Sequence, residues 1–167
     1  MSYAFVRFLG VALWFTTTAP ATAVETHAAP SLLATIELWL ATNFALSPAK
    51  QPPDLVRVSA ARLVEIRYGS VSAVAPGDVV AAYDDSRRTI YLGEDWSGRS
   101  PGDISVLVHE MVHHLQASAD MRFACPAERE VLAYRAQDAW LRLFGTNLKN
   151  AFGIDSMMLL VATACTH

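Results

Sequence analysis

The stretch from Ser100 to Ser118, SPGDISVLVHEMVHHLQAS, decides how this chain reads. At its centre lies His109-Glu110-Met111-Val112-His113, the one His-Glu-x-x-His in the sequence. Side chains four residues apart on a helix share a face, with Cβ atoms about 5–6 Å apart. That spacing suits two imidazoles converging on one Zn²⁺ at about 2.0–2.1 Å each. Glu110 then stands where it can take a proton from a metal-bound water. The helix itself is well specified. Ser100 is a plausible cap, Pro101 suits the first helical position, and Asp103 can return a capping-box contact. With His109 at zero on a wheel of about 100° per residue, His113 falls near 40° and Gln116 near −20°. Leu107, Met111 and Leu115 fall on the far side, so the helix is apolar behind and polar in front. His114, near 140°, points away from a metal held by the other two. It reads as a hydrogen-bonded histidine at the helix edge.

Working outward, Val79 to Tyr83 and Thr89 to Leu92 are β-branched and aromatic, with Asp84-Asp85-Ser86-Arg87 between them. This predicts a hairpin. Gly93 to Arg99 follows as a polar loop carrying Trp96. Upstream, Leu55 to Val58 reads as a strand, and Ser59 caps a helix running to about Tyr68 before Gly69. Leu32, Leu33, Ile36, Trp39 and Leu40 recur at helical spacing after Ser31. Downstream, Ala127 to Phe144 is a second long helix closed by Gly145. Asn147 to Phe152 has no clear reading. Asp155 to Ala164 is an apolar terminal helix. There is no internal repeat and no second domain boundary.

Catalytic zinc usually takes three protein ligands and a water. No third histidine follows at the short downstream spacing, since position 116 is Gln and position 119 is Ala. His27 and His167 are remote from the motif. A carboxylate is the natural substitute. Glu130, on the second long helix, is the preferred ligand. Ala133 would let the two helices approach, and Tyr134 shares the face of Glu130 and can hydrogen-bond a ligand. Glu128 is the competing ligand. It lies about 200° from Glu130, in a first turn where the helix dipole alone favours a carboxylate.

The chain has 167 residues, 53% hydrophobic and 17% charged, which suits one packed domain and excludes disorder. Its formal net charge is −3 with no Lys or Arg run, which argues against nucleic acid as a partner. Arg7, the apolar run Phe8 to Phe15 and Ala21-Thr22-Ala23 read as a signal peptide over residues 1–23. The run is too short for a stable membrane anchor. Residues 24–167 are then the single domain of an exported protein, periplasmic or secreted. In that setting Cys125 and Cys165 are expected to pair.

His109-Glu110-Met111-Val112-His113, followed by Glu130-Val131-Leu132-Ala133-Tyr134, resembles the zincin metallopeptidases of the gluzincin kind. Their pattern is His-Glu-x-x-His with a glutamate ligand on a later helix, often within Glu-x-x-Ala-Asp. The resemblance covers roughly Tyr83 to Trp140, and Tyr134 stands where many relatives carry Asp. It is also similar to small bacterial proteins with a zincin-like motif. The resemblance implies an α+β, zincin-like fold: a small antiparallel or mixed sheet with an edge strand packed against the metal helix, plus several other helices. It implies that Thr89-Ile90-Tyr91-Leu92 is the edge strand that pairs with extended substrate. One Zn²⁺ would sit on His109, His113 and Glu130, with Glu110 as general base cutting a peptide or protein substrate. A donor to the oxyanion is expected among Tyr83, Tyr91, Tyr134, His114 and Arg129. A domain this small suits an open cleft between hairpin edge and metal helix better than a deep pocket. The alternative is a catalytically silent zincin-like binding module with a structural zinc site, which would have no need of Glu110.

Overall fold

The computed structural model of the protein describes residues 31–69 and 75–165. The expectations for residues 1–23, His27 and His167 lie outside that range. Serines start three helices as the sequence predicts. Ser31, Ser59 and Ser100 each accept a backbone N–H three residues on, opening α1 (Leu32–Phe44), α2 (Ala60–Tyr68) and α3 (Pro101–Ser118). Between α1 and α2 lies β1 (Asp54–Val58). The hairpin follows α2 as β2 (Ala81–Asp84) and β3 (Thr89–Gly93). After α3 come α4 (Pro126–Arg142), α5 (Leu148–Phe152) and α6 (Ser156–Thr163). The stretch without a clear reading, 147–152, is thus a short helix capped by the Asn147 side chain. The architecture is α+β: six helices and one small mixed sheet among the described residues.

Two local details are sharper than the sequence suggested. The hairpin turn is organised by Asp84, whose Oδ1 accepts from the Ser86 and Arg87 amides at 2.9 and 3.1 Å. Hydrogen bonds from the side chains of Ser86 and Arg87 pull its carboxyl down to about 2. At the start of α3, Asp103 does not close a capping box on Ser100. Its carboxylate accepts instead from the amide and hydroxyl of Ser97, and its carbonyl takes the Trp96 indole N–H at 2.7 Å. Trp96 and Ser97 thereby fasten the loop before the helix to its first turn.

The sheet order is β1-β3-β2, with β1 parallel and β2 antiparallel to β3. This corrects the expected edge strand. Thr89 to Leu92 lies in the centre, and β2 is the edge on the site side. The cause is side-chain volume. Ile90 and Leu92 are buried in the core shared with α1 and α3, whereas β2 offers the small Ala81 and Ala82 and a half-buried Tyr83 to the interior. The strand with the larger apolar face takes the middle, where β1 can cover its other side. Gly93 donates its N–H to the Val80 carbonyl. By antiparallel alternation, the N–H and C=O of Ala81 and Tyr83 then point outward from the sheet.

The core forms where α3 meets β3, α1 and α4. Leu107, Val108, Met111, Val112 and Leu115 are at most 1% exposed. Each such side chain contributes about 1.5–3 kcal/mol on burial, so the motif helix is rigidly held from behind. Ala133 and Ala136 of α4 are fully buried in the same cluster. Their small size lets α4 approach α3 closely.

Cys125 and Cys165 are disulfide-bonded, with Cα atoms 5.8 Å apart. The bond ties the start of α4 to the end of α6. Helix α6 buries no residue completely and rests on α4 by Leu159, Ala162 and Thr163. For a sequence separation of 40, chain entropy assigns the bond about 4 kcal/mol. Replacing both cysteines by serine is expected to lower the melting temperature by on the order of 10 °C. Amide exchange should accelerate first in α6. Unchanged melting and unchanged α6 protection would show the bond to be dispensable.

Candidate metal centre

The site is assembled by two helices. α3 presents His109 and His113 one turn apart, and α4 brings Glu130 against them. His109 Nε2 and His113 Nε2 lie 3.0 and 3.2 Å from Glu130 Oε2, and 3.2 Å from each other. These three atoms form a nearly equilateral triangle. Tetrahedral ligands at about 2.0–2.1 Å from one ion stand about 3.3–3.4 Å apart, so the triangle has the right size. His109, His113 and Glu130 are a possible metal-binding triad.

Proton positions make the case stronger. Gln116 donates its Nε2 to the Arg129 carbonyl at 3.0 Å, which turns its Oε1 toward His113 Nδ1 at 3.1 Å. Gln137 donates its Nε2 to Ser105 Oγ, whose own proton goes to the Gly102 carbonyl. Its Oε1 therefore faces His109 Nδ1, at 3.0 Å. Both Nδ1 atoms meet pure acceptors and must carry the ring protons. Both Nε2 atoms then present lone pairs to each other and to a carboxylate. Three electron-rich atoms this close, with no proton among them, call for a cation in the middle. The two glutamines fix the tautomer and ring orientation of His109 and His113, as the outer partners of metal-ligating histidines commonly do.

Gln116 was placed on the motif face by its spacing. Gln137 was missed. Its signal was present, because it lies seven residues after Glu130, two turns along the same face of α4. Tyr134 does not make the hydrogen bond expected of it. Its ring packs edge-on against His109, with centroids 4.7 Å apart. Glu128 lies away from the triad. Its carboxylate accepts the Ala124 amide at 2.5 Å and caps the first turn of α4, where Cys125 makes no side-chain cap.

Two residues named for the oxyanion are elsewhere. Tyr91 packs against Leu63, Val64, Val79 and Ala82 on the α2 side of the sheet. In a central strand whose Ile90 and Leu92 face α3, Tyr91 must point the other way. His114 is fully buried, not at a helix edge. Its Nε2 donates to the Gln51 carbonyl at 3.0 Å, and its Nδ1 accepts from the Tyr83 hydroxyl at 3.1 Å. Burial lowers its pKa, which keeps it neutral in that role. Tyr83 thus commits its proton inward. Arg129 commits both terminal nitrogens to Asp85, at 2.8 and 3.0 Å, and clamps the hairpin turn to α4.

The triad opens into a cleft of about 460 Å³. The edge strand β2 and the end of α2 form one wall, α3 the floor, and α4 with Phe152, Ile154 and Ala162 the other wall. Glu110 lines this cleft and has no hydrogen-bond partner among the described residues. Burial pushes its carboxyl up to about 7. Arg67, from the last turn of α2, reaches across to Glu130 Oε1 at 3.3 Å. Nothing in its local sequence marked it.

No curated protein and no solved structure matches this chain. The family model DUF6647, "Domain of unknown function", matches residues 25–167, and the chain belongs to that family.

Proposed function

We propose that this chain is an exported, zinc-dependent metallohydrolase with a zincin-like fold, acting as a peptidase. The observation that carries the reading is the pair of imidazole lone pairs converging with Glu130, each ring locked by a glutamine. Zn²⁺ is the ion that suits a compact, buried set of two nitrogens and one carboxylate oxygen with room for one more ligand. When bound there, it supplies Lewis acidity, acidifying water and polarising a carbonyl.

The chain's own residues account for the remaining chemistry. Glu110 accepts the proton of the attacking water and returns it to the leaving amine, so that water and amide become acid and amine. Its lack of a protein partner suits this exchange. The outward N–H and C=O groups of Ala81 and Tyr83 are free to pair with an extended peptide along β2, and this fixes the scissile carbonyl against α3. The Tyr134 hydroxyl has no hydrogen-bond partner among the described residues and its ring lies against His109, so it is the cleft phenol beside the triad that can donate to the oxyanion. The disulfide suits an oxidising compartment.

Purified protein is expected to carry about one zinc per chain and to cleave members of an unbiased peptide mixture. Chelation should stop cleavage and added Zn²⁺ should restore it. Zinc-loaded protein that cuts no peptide in the mixture would leave the site a structural one.

A further inference from the structure

We propose that Arg67 is a specificity residue, receiving a carboxylate of the substrate within one or two residues of the scissile bond. The proposal rests on the peptidase reading for the word substrate, but its recognition chemistry stands on the cleft alone.

Arg67 lies in the last turn of α2, where the exposed carbonyls favour a cation. Its guanidinium carbon sits 5.8 Å from the centre of the Tyr68 ring, a second contact that steadies it. From there it reaches across the cleft to one oxygen of Glu130, whose other oxygen belongs to the triad. The guanidinium is therefore one carboxylate away from where the scissile carbonyl must sit. An extended substrate advances about 3.3 Å per residue, which sets the one-to-two-residue reach.

The contact with Glu130 leaves most of the guanidinium unused. It is a single hydrogen bond at 3.3 Å, against five donors on the group. The side chain is about half exposed, at 52%, so an incoming anion can approach it. Among the described residues that line the cleft, the one other cation is Arg129. Arg129, the second guanidinium lining the cleft, is held at both terminal nitrogens by Asp85. Asp78 also lines the cleft and makes no ion pair among the described residues. The rest of the β2 wall is Val79, Val80, Ala81, Ala82 and Tyr83, and the facing wall carries Phe152 and Ile154. A substrate matched to Arg67 and these apolar surfaces carries one negative group, and Asp78 disfavours a second. That group is either an aspartate or glutamate side chain or a chain-terminal carboxylate.

The test uses zinc-loaded full protein and blocked hexapeptides of one apolar sequence. One set carries Glu walked through the chain, a second carries Gln at the same places, and a third has no acidic side chain but ends in a free carboxylate. Calorimetry measures binding, and chromatography measures cleavage. At the matching position the Glu peptide, or the free-acid peptide, is expected to bind about tenfold tighter than its neutral partner. Which of the two gains identifies the source of the carboxylate. Arg67→Gln keeps an N–H for Glu130 but removes the charge, and should erase the preference while leaving zinc content and neutral-peptide binding unchanged. Arg67→Glu should turn the preference toward Lys peptides. Three results would overturn the proposal: no preference in wild type, a preference that survives Arg67→Gln, or loss of zinc in Arg67→Gln. The last would make Arg67 a holder of Glu130 only. Acidic peptides that bind with the expected preference yet are never cut would leave this inference standing and remove the peptidase reading.

Discussion

Glu110→Gln is expected to lower peptide turnover by about 10²–10⁴-fold while zinc content stays at the wild-type level. The substitution replaces one oxygen by an amide nitrogen and changes no volume. Glu110 contributes no atom to the triangle of His109, His113 and Glu130, so the metal site should not notice. What is lost is the one group able to accept and return the proton. Stability should not fall, because a buried carboxyl pushed up to about 7 is replaced by a group that never ionises. Turnover and zinc are measured on the same preparation. Activity within tenfold of wild type at full zinc content would remove Glu110 from the mechanism. Loss of zinc would show that it holds the metal directly or through another group.

Glu130→Ala is expected to empty the site. Outer partners of a metal ligand are worth about 10–100-fold in affinity, and a direct ligand more than that. With Glu130 gone, two imidazoles remain at the end of a shallow cleft, and two protein ligands do not hold catalytic zinc. Glu128→Ala is the control. That carboxylate caps α4 by the Ala124 amide, so its removal should cost about 0.5–1 kcal/mol of stability and no zinc. Zinc titration with a competing chelator reads both variants, and thermal melts read the cap. Equal zinc affinity in wild type and Glu130→Ala would overturn the triad.

The legible parts of this site share a property. His109, Glu110, His113 and Gln116 belong to one helix, and helical periodicity alone sets their mutual geometry. The caps at Ser31, Ser59 and Ser100 are equally local, since each bonds an amide three residues away. Glu130 was within reach of the same reasoning, because α3 and α4 are joined by a short loop and must pack side by side. Cys125 and Cys165 followed from their even number and the reading of an exported chain.

The misread parts depend on which element lies next to which. Thr89 to Leu92 reads from the sequence as the edge strand, but it lies in the centre of the sheet. The choice fell to β1, which is distant in sequence and pairs parallel with β3. That single pairing puts β3 in the centre and leaves Ala81 and Tyr83 at the edge beside the cleft. His114 could be placed on the wheel, but not its partner Gln51, 63 residues upstream. Arg67 reaches Glu130 across the same separation, 63 residues. The chain by itself determined five of the six helices among the described residues, the motif face and the two histidine donors, because these rest on contacts within a few residues. Tertiary structure alone decided the edge strand, the partner of His114 and the cation over the cleft. Those depend on the summed packing of distant segments, which no local pattern encodes.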